Sequence, residues 1–363
     1  MNKRIVSKVL VVGLLALSLT GCWDSKALEH RGIVLAVGVD KTKSPGEYKW
    51  IFVFPNVTLS PSSLSNIKPN QEYYAVSVHA TTFPQALMRA QEKSSRALYL
   101  GQLQTLVWSC HLSWQQLWPV INAINAEGTV PKTYWTMAAE APLEPIVEYV
   151  SPQVVPPRTF LSAYFECKNC QPIRLRQSGW QFWSHGVSAG ISPFTPLVSL
   201  TGKDFRIRHI VAYPSGGHPV IFSHQETEGF GYLTGRVQKT SLSFAWNQDL
   251  VNVTTMHEHR ALSIHQIGHT LDVKENIRLS GYIDEVAGHQ IMQLSSQQAV
   301  ITQAEHEILQ ACLDAIHRAN ATKVDPFGYA EQIFWFGTHS SAFMPIHAQI
   351  TVTISVKGEG ILR

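Results

Sequence analysis

The sequence predicts an α+β protein of more than one domain, with mixed or antiparallel sheets and helices packed on them. Three observations carry this. In the last segment, Ile346, Ala348, Ile350, Val352, Ile354 and Val356 alternate with His347, Gln349, Thr351, Thr353 and Ser355. That is the period of a strand with one buried and one wet face. Gln298–Ala319 places Ile301, Ala304, Ile308, Cys312, Ala315 and Ala319 on one side of a helix, and Asn320 reads as its C-terminal stop. Segments of both kinds are interleaved along 363 residues, a length that accommodates one large domain or two to three ordinary ones.

Gly32–Val39 is an apolar run of strand length, and Tyr48–Pro55 a second strand, with Pro45-Gly46 in the turn between them. The Ser-, Pro- and Asn-rich stretch 57–70 reads as a loop, and Tyr73–His79 as a short strand. Thr82–Leu98 reads as a helix with a threonine cap and Pro84 in its first turn. Leu103–Trp108 is a strand, Trp114–Ala126 a helix ending near Gly128, and Thr133–Ala139 a strand. Prolines and small residues thicken between Pro142 and Pro157, and residues 191–203 read as a linker. The expected organisation is residues 1–21 as a leader, 22–198 as an N-terminal α+β region of one or two subdomains, and 199–363 as a C-terminal α+β domain. Beyond the linker, Asp204–Tyr213 and Pro219–Ser223 flank the turn 215–218 as a hairpin. Strands at Val237–Phe244, Leu250–Thr255, Ala261–Ile267 and Asn276–Ile283 precede the long helix.

The net charge is +3, but residues 1–21 hold Lys3, Arg4 and Lys8 and no acid, so the remainder balances 26 basic against 26 acidic residues. A neutral body has no electrostatic footprint for nucleic acid, which excludes that class of partner. Charged residues make up only 15 % of the chain, a shortage that points to surface covered by a partner or a membrane. Met1–Lys8 is a basic region and Val9–Leu19 an apolar one too short to span a bilayer, together the pattern of a secretory signal. Leu19-Thr20-Gly21-Cys22 resembles a bacterial lipobox, which implies that Cys22 is acylated and becomes the mature N-terminus. No later stretch is long and apolar enough to predict a second span.

No catalytic, metal or cofactor site is expected. Gly186-Val187-Ser188-Ala189-Gly190 matches the GxSxG nucleophile elbow, but Ile191-Ser192-Pro193 follows where the elbow requires a helix, so a loop is the better reading. His257 and His259 share a face of a simple strand and could pair on a metal, yet no acid or cysteine sits at a partnering interval; with His265 and His269 they read as surface histidines. Cys167-Lys168-Asn169-Cys170 has no second CxxC to complete a zinc site and reads as a structural or idle pair, with a small disulfide among its options. Cys312 reads as a core residue. Neither GxGxxG nor GxxxxGK[ST] occurs. Trp108, Trp114, Trp118, Trp180 and Trp183 suit cores and subunit contacts better than a ligand pocket.

Cys22-Trp23-Asp24, Glu29 and Ile33–Asp40 resemble the start of the Ger(x)C family of spore germination lipoproteins. Ala86–Leu100, Gly101–Trp108, Ile210–Phe222 with Glu226-Thr227-Glu228-Gly229 and Leu233-Thr234-Gly235, and Asp325-Pro326-Phe327-Gly328 are similar to later family segments, as are the terminal strand and Gly358. The resemblance implies an α+β, non-enzymatic C subunit of a nutrient germinant receptor, needed for germination in response to nutrients. It would be lipid-anchored on the outer face of the spore inner membrane, beside a membrane A subunit and a transporter-like B subunit. The competing readings are a lipid-anchored hydrolase using Ser188 and an extracytoplasmic lipoprotein that binds a solute itself.

Overall fold

A computed structural model describes residues 31–56, 73–140, 142–149, 159–167, 170–202, 204–246, 249–286, 294–334 and 343–356. The leader, Cys22, the 57–70 loop and Gly358 lie outside the described residues.

The chain opens with β1 (Arg31–Ile33), β2 (Ala36–Lys41), β3 (Tyr48–Pro55), β4 (Tyr73–Ala80) and α1 (Phe83–Gln91). β5 (Ala97–Tyr99), β6 (Thr105–Ser109), α2 (Trp114–Ala126), β7 (Trp135–Ala139), α3 (Glu144–Val147), α4 (Phe160–Glu166) and α5 (Gly179–Val187) follow. β8 (Phe194–Thr201), β9 (Asp204–Ala212) and β10 (Val220–Ile221) complete an eight-stranded sheet in the order β10-β9-β8-β7-β6-β2-β3-β4. β2, β6, β7 and β8 run parallel and the outer strands antiparallel, so the sheet is mixed.

Its central strands are apolar on both faces because both are covered. Trp50, Phe52 and Phe54 of β3 share one core with Phe83 of α1, Leu117 and Ile121 of α2, and Phe182 of α5. Ile51 and Val53 face the opposite core with Met137, Ile146, Leu161 and Phe165. Caps start the helices. Thr82 Oγ1 accepts from Gln85 N–H, and Ser113 with Gln116 forms a reciprocal capping box.

A four-stranded sheet in the order β11 (Lys239–Trp246), β12 (Asp249–Ile267), β13 (Thr270–Val286), β14 (Ile346–Val356) forms the second layer system, with β14 parallel to β13. It shares a core with α6 (His224–Leu233) and α7 (Leu294–Thr322), whose stripe of Ile301, Ala304, Ile308, Cys312, Ala315 and Ala319 is buried as expected. On β14, Ile346, Val352 and Ile354 are buried and Ile350 half-buried, while His347, Gln349, Thr351, Thr353 and Ser355 are exposed; Val356 departs from the pattern and is exposed. α8 (Tyr329–Phe334) closes the described elements. No helix among the described residues is long and apolar enough to cross a membrane.

Several expected elements are corrected. The run 32–39 is broken at Val34-Leu35: β1 pairs with β5 outside the large sheet, while β2 enters it between β3 and β6. The helix read over 82–98 stops at Gln91, because the Gln91 amide bonds the returning chain, donating to Arg96 O (3.0 Å) and accepting from Leu98 N–H (2.9 Å). The supposed linker 191–203 contains β8; the 198/199 cut falls inside that strand, and the sheet continues through β10. The strands read at 250–255 and 261–267 are one strand, β12, with an irregular register between His257 and His259. Asn320 does not stop α7. Its side chain brackets the start of β14, donating to Ile346 O and accepting from Ile346 N–H, both at 2.8 Å, and the helix ends two residues later before Lys323 at φ 57°. Helices α3, α4, α5, α6 and α8 are not among the expected elements.

Two predictions follow from this packing. Val352→Asp forces a carboxylate into the core and removes burial worth about 1.5–3 kcal/mol, so the C-terminal sheet should fail to fold, whereas Thr351→Asp should leave the melting temperature nearly unchanged. Gly229 is where α6 and α7 touch backbone to backbone: a Cβ there would lie 1.9 Å from Ala311 O. Gly229→Ala should therefore cost about 1–3 kcal/mol in urea denaturation, and an unchanged midpoint would show that the helices separate freely.

Candidate functional site

A cleft of about 290 Å³ opens between the C-terminal end of α5 and the chain segment that links α7 to α8. The helical wall is set by a capping box: Ser178 Oγ accepts from Gln181 N–H and Gln181 Oε1 accepts from Ser178 N–H. Gly186 lets α2 lie close, since a Cβ at that position would sit 2.4 Å from the Trp118 ring. The helix ends at Ser188, Gly190 turns the chain at φ 82°, and β8 begins. This order, helix then turn then strand, is the reverse of the strand–turn–helix that exposes an elbow serine. Ser188 N–H donates to Ser184 O (2.9 Å), ending the helix, and Glu331 on the facing wall has its carboxyl raised by burial. His185 lines the same wall, but its Nδ1 is 3.1 Å from Gln177 Nε2. Burial first, and the Arg236 charge second, push His185 down to about 4, so it is neutral near pH 7. Among the described residues no hydrogen bond joins Ser188 to His185.

The opposite wall is the Asp325-Pro326-Phe327-Gly328 turn. The Asp325 carboxylate accepts from the N–H groups of Phe327 (3.1 Å), Gly328 (3.0 Å) and Ala330 (3.0 Å), capping the start of α8. Burial nevertheless pushes Asp325 up to about 7, against those three donors. The two walls are joined directly. Ser192 N–H donates to Asp325 O (2.8 Å), Asp325 N–H donates to Ser192 Oγ (2.9 Å), and Glu331 N–H donates to Gly190 O (3.0 Å). Behind the turn, Phe327 stacks on Tyr329 with ring centres 5.2 Å apart. Tyr329 Oη donates to Glu275 Oε2 (2.7 Å), and Arg260 Nε donates to Glu275 Oε1 (2.6 Å). The arrangement is a latch: it fixes the loop before β8 onto β12 and β13 through buried, hydrogen-bonded groups.

The other candidates separate. Backbone register pairs His257 with Leu279 and His259 with Arg278, which are adjacent residues, so the period-2 argument that put both histidines on one face does not hold. His259, His265 and His269 are exposed, and no metal-holding group occurs among the described residues. Cys167 and Cys170 are joined as a disulfide, and Cys312 is buried beside Gly229. Trp108 is core, Trp114 stacks on Trp118 at the cleft, and Trp180 stacks on Trp183 with its own ring exposed. Sequence reasoning missed the α5 wall although its signal was present: Ser178-x-x-Gln181 is the same capping pattern as Ser113-x-x-Gln116.

Comparison with known families places the latch at a junction. A model described as "Spore germination protein N-terminal domain" matches residues 24–200, and one described as "Spore germination B3/ GerAC like, C-terminal" matches residues 221–359. The chain belongs to this family of spore germination proteins. The crystal structure of the GerBC protein has a similar α+β fold, with a TM-score of 0.50, 10 % identity, and coverage of 89 % of this chain and 97 % of that one. No curated protein matches the sequence. In this spore germination protein, Gly190 and Ser192 come from the first matched region and Asp325 and Glu331 from the second, so the latch joins the two.

The latch makes a pH-dependent prediction. An acid whose folded pKa lies above its ordinary value of 3.8 keeps a proton in the folded chain that the unfolded chain releases. Stability from Asp325 is therefore complete below about 4, declines as pH rises to about 7, and is flat above. Asp325→Asn cannot titrate, so the wild-type melting temperature should lose ground to that of D325N as pH rises across this window. A constant difference between the two curves from pH 4 to 8 would remove the role given to the Asp325 proton.

Proposed function

We propose that the protein is the C subunit of a nutrient germinant receptor and takes part in germination in response to nutrients. The observation that carries this reading is the match of both family regions, together covering most of the chain after residue 23. The basic and apolar leader ending in Leu19-Thr20-Gly21-Cys22 supports export and acylation at Cys22, anchoring the body on the outer face of the spore inner membrane. The Cys167–Cys170 disulfide fits an oxidising compartment outside the cytoplasm. Its partners are the membrane A and B subunits of the receptor, and low surface charge suits a body that docks on them. Its role is non-enzymatic: Ser188 ends a helix before a strand instead of standing on a strand–turn–helix elbow, and His185 is held by Gln177, which supports a binding rather than a hydrolytic use of the cleft.

Co-purification tests the reading. Tagged protein extracted from spore membranes should bring down the A and B subunits, and recovery alone from gently solubilised membranes would overturn the assignment. Cys22→Ala should release the body from the membrane fraction or leave an unprocessed precursor. A processed, unacylated chain retained at the membrane would exclude the anchor.

A further inference from the structure

A second cleft, of about 700 Å³, lies where residues 172–176 run beside residues 236–238. Arg174 N–H donates to Arg236 O (2.9 Å), Gln238 N–H donates to Pro172 O (2.8 Å), and Ile173 bridges Val237. The local sequence alternates Ile173-Arg174-Leu175-Arg176. Leu175 is buried in the C-terminal core with Ile173 packed against it, and the two arginines line the cleft, joined there by Arg236 from the facing segment.

Two of the three guanidiniums are positioned by the fold, and none is neutralised by an ion pair among the described residues. Arg236 Nη1 donates to the carbonyls of Arg174 (3.2 Å) and Arg176 (3.4 Å), and its Cζ lies 4.8 Å from the centre of the Phe194 ring. Arg176 Nη1 donates to Phe165 O (3.0 Å), with its Cζ 5.6 Å from the Trp135 ring. Arg174 is exposed. Among the described residues no aspartate or glutamate lines the cleft, and no ion pair involves any of the three. Burial and the neighbouring Arg176 charge lower Arg236 to about 10, and the Arg236 charge in turn helps to hold His185 neutral. In a body that balances 26 bases against 26 acids, this is a concentrated, uncompensated positive field.

A guanidinium carries five N–H donors in a planar fork, and carbonyl contacts occupy few of them here. Three such forks offer more donors than the two oxygens of a carboxylate accept, but they suit the three or four oxygens and higher charge of a phosphate. Gln181, whose Oε1 is committed to the α5 cap, adds a neutral amide at the same cleft, and the exposed Trp180 ring supplies an apolar surface beside it. We propose that this cleft binds a phosphate group, with Arg174, Arg176 and Arg236 as its ligands. The site spans the two family regions, since Arg174 and Arg176 belong to the first and Arg236 to the second. A bound phosphate therefore braces the same junction as the latch, from a separate cleft. The inference does not depend on the receptor role.

The test uses the full chain in detergent, with thermal unfolding followed in two arms. The first adds about 10 mM inorganic phosphate against sodium chloride of equal ionic strength; the second adds dihexanoyl phosphatidylglycerol against dihexanoyl glycerol, the same chains without phosphate. Ligand at about a hundred times its dissociation constant should raise the melting temperature by roughly 3–5 °C. Arg174→Glu changes an exposed side chain and should fold normally, yet lose the rise; Arg206→Glu, an exposed arginine on β9, makes the same charge change elsewhere and should keep it. A rise with inorganic phosphate assigns the site to a small phosphate, and a rise with phosphatidylglycerol alone assigns it to a lipid headgroup. No rise in either arm, a rise equal with dihexanoyl glycerol, or a rise undiminished in R174E overturns the proposal.

Discussion

The structure depends on one constraint: a single mixed sheet serves as a wall for three cores. At its β8–β9 end, side chains that alternate along the strand go to different cores. Phe194, Ile210 and Ala212 belong to the C-terminal core, Leu197, Val211 and Tyr213 to the core under α1 and α2, and Val198 to the core under α3 and α4. A strand has two faces and no freedom to reassign them without slipping its register, so these pairings fix how the C-terminal layers meet the N-terminal sheet. The irregular register between Leu197 and Val198 lets the hairpin keep its pairing while the wall passes from one core to the next.

Everything that joins the two matched regions builds on that wall. The latch of Gly190 and Ser192 on Glu331 and Asp325 secures the edge just before β8. The short pairing of residues 172–176 with 236–238 secures another edge and brings three arginines together. The two sites carry opposite electrostatic characters. The latch buries an acid that favours its proton, while the arginine cleft gathers positive charge with no acid beside it. For a spore germination protein, a junction held by titratable and charge-bearing groups makes the hold between its two regions sensitive to pH.

Much of the local structure was legible. Tyr48–Pro55, Trp114–Ala126 and Ile346–Val356 have the bounds their patterns indicated: β3 is an apolar run of strand length after the Pro45-Gly46 turn, α2 starts on a capping box, and β14 alternates cleanly. Legibility failed where a distant partner decides. Nothing in Gly32–Val39 marks the step at Val34-Leu35, which arises because β5 takes three residues and β3 and β6 take the rest. Prolines made 191–203 look like a linker, yet Pro196 sits in β8 opposite Ile210. α5 and α6 were missed for a different reason: their boxes, Ser178 with Gln181 and Ser223 with Glu226, were written in the sequence but overshadowed by glycine and histidine content.

By itself the sequence determined the family, the α+β class and the buried faces of β14 and α7, because these rest on local period, composition and motif. Only the tertiary structure decided that the large sheet continues past residue 198 through β9 and β10, that Ser188 closes a helix instead of opening one, and that Arg174 and Arg176 meet Arg236 sixty residues further along the chain. The physical reason is common to all three. Strand partners and charge clusters are set by which distant backbones hydrogen-bond across the fold, and a linear pattern of residues carries no term for that choice.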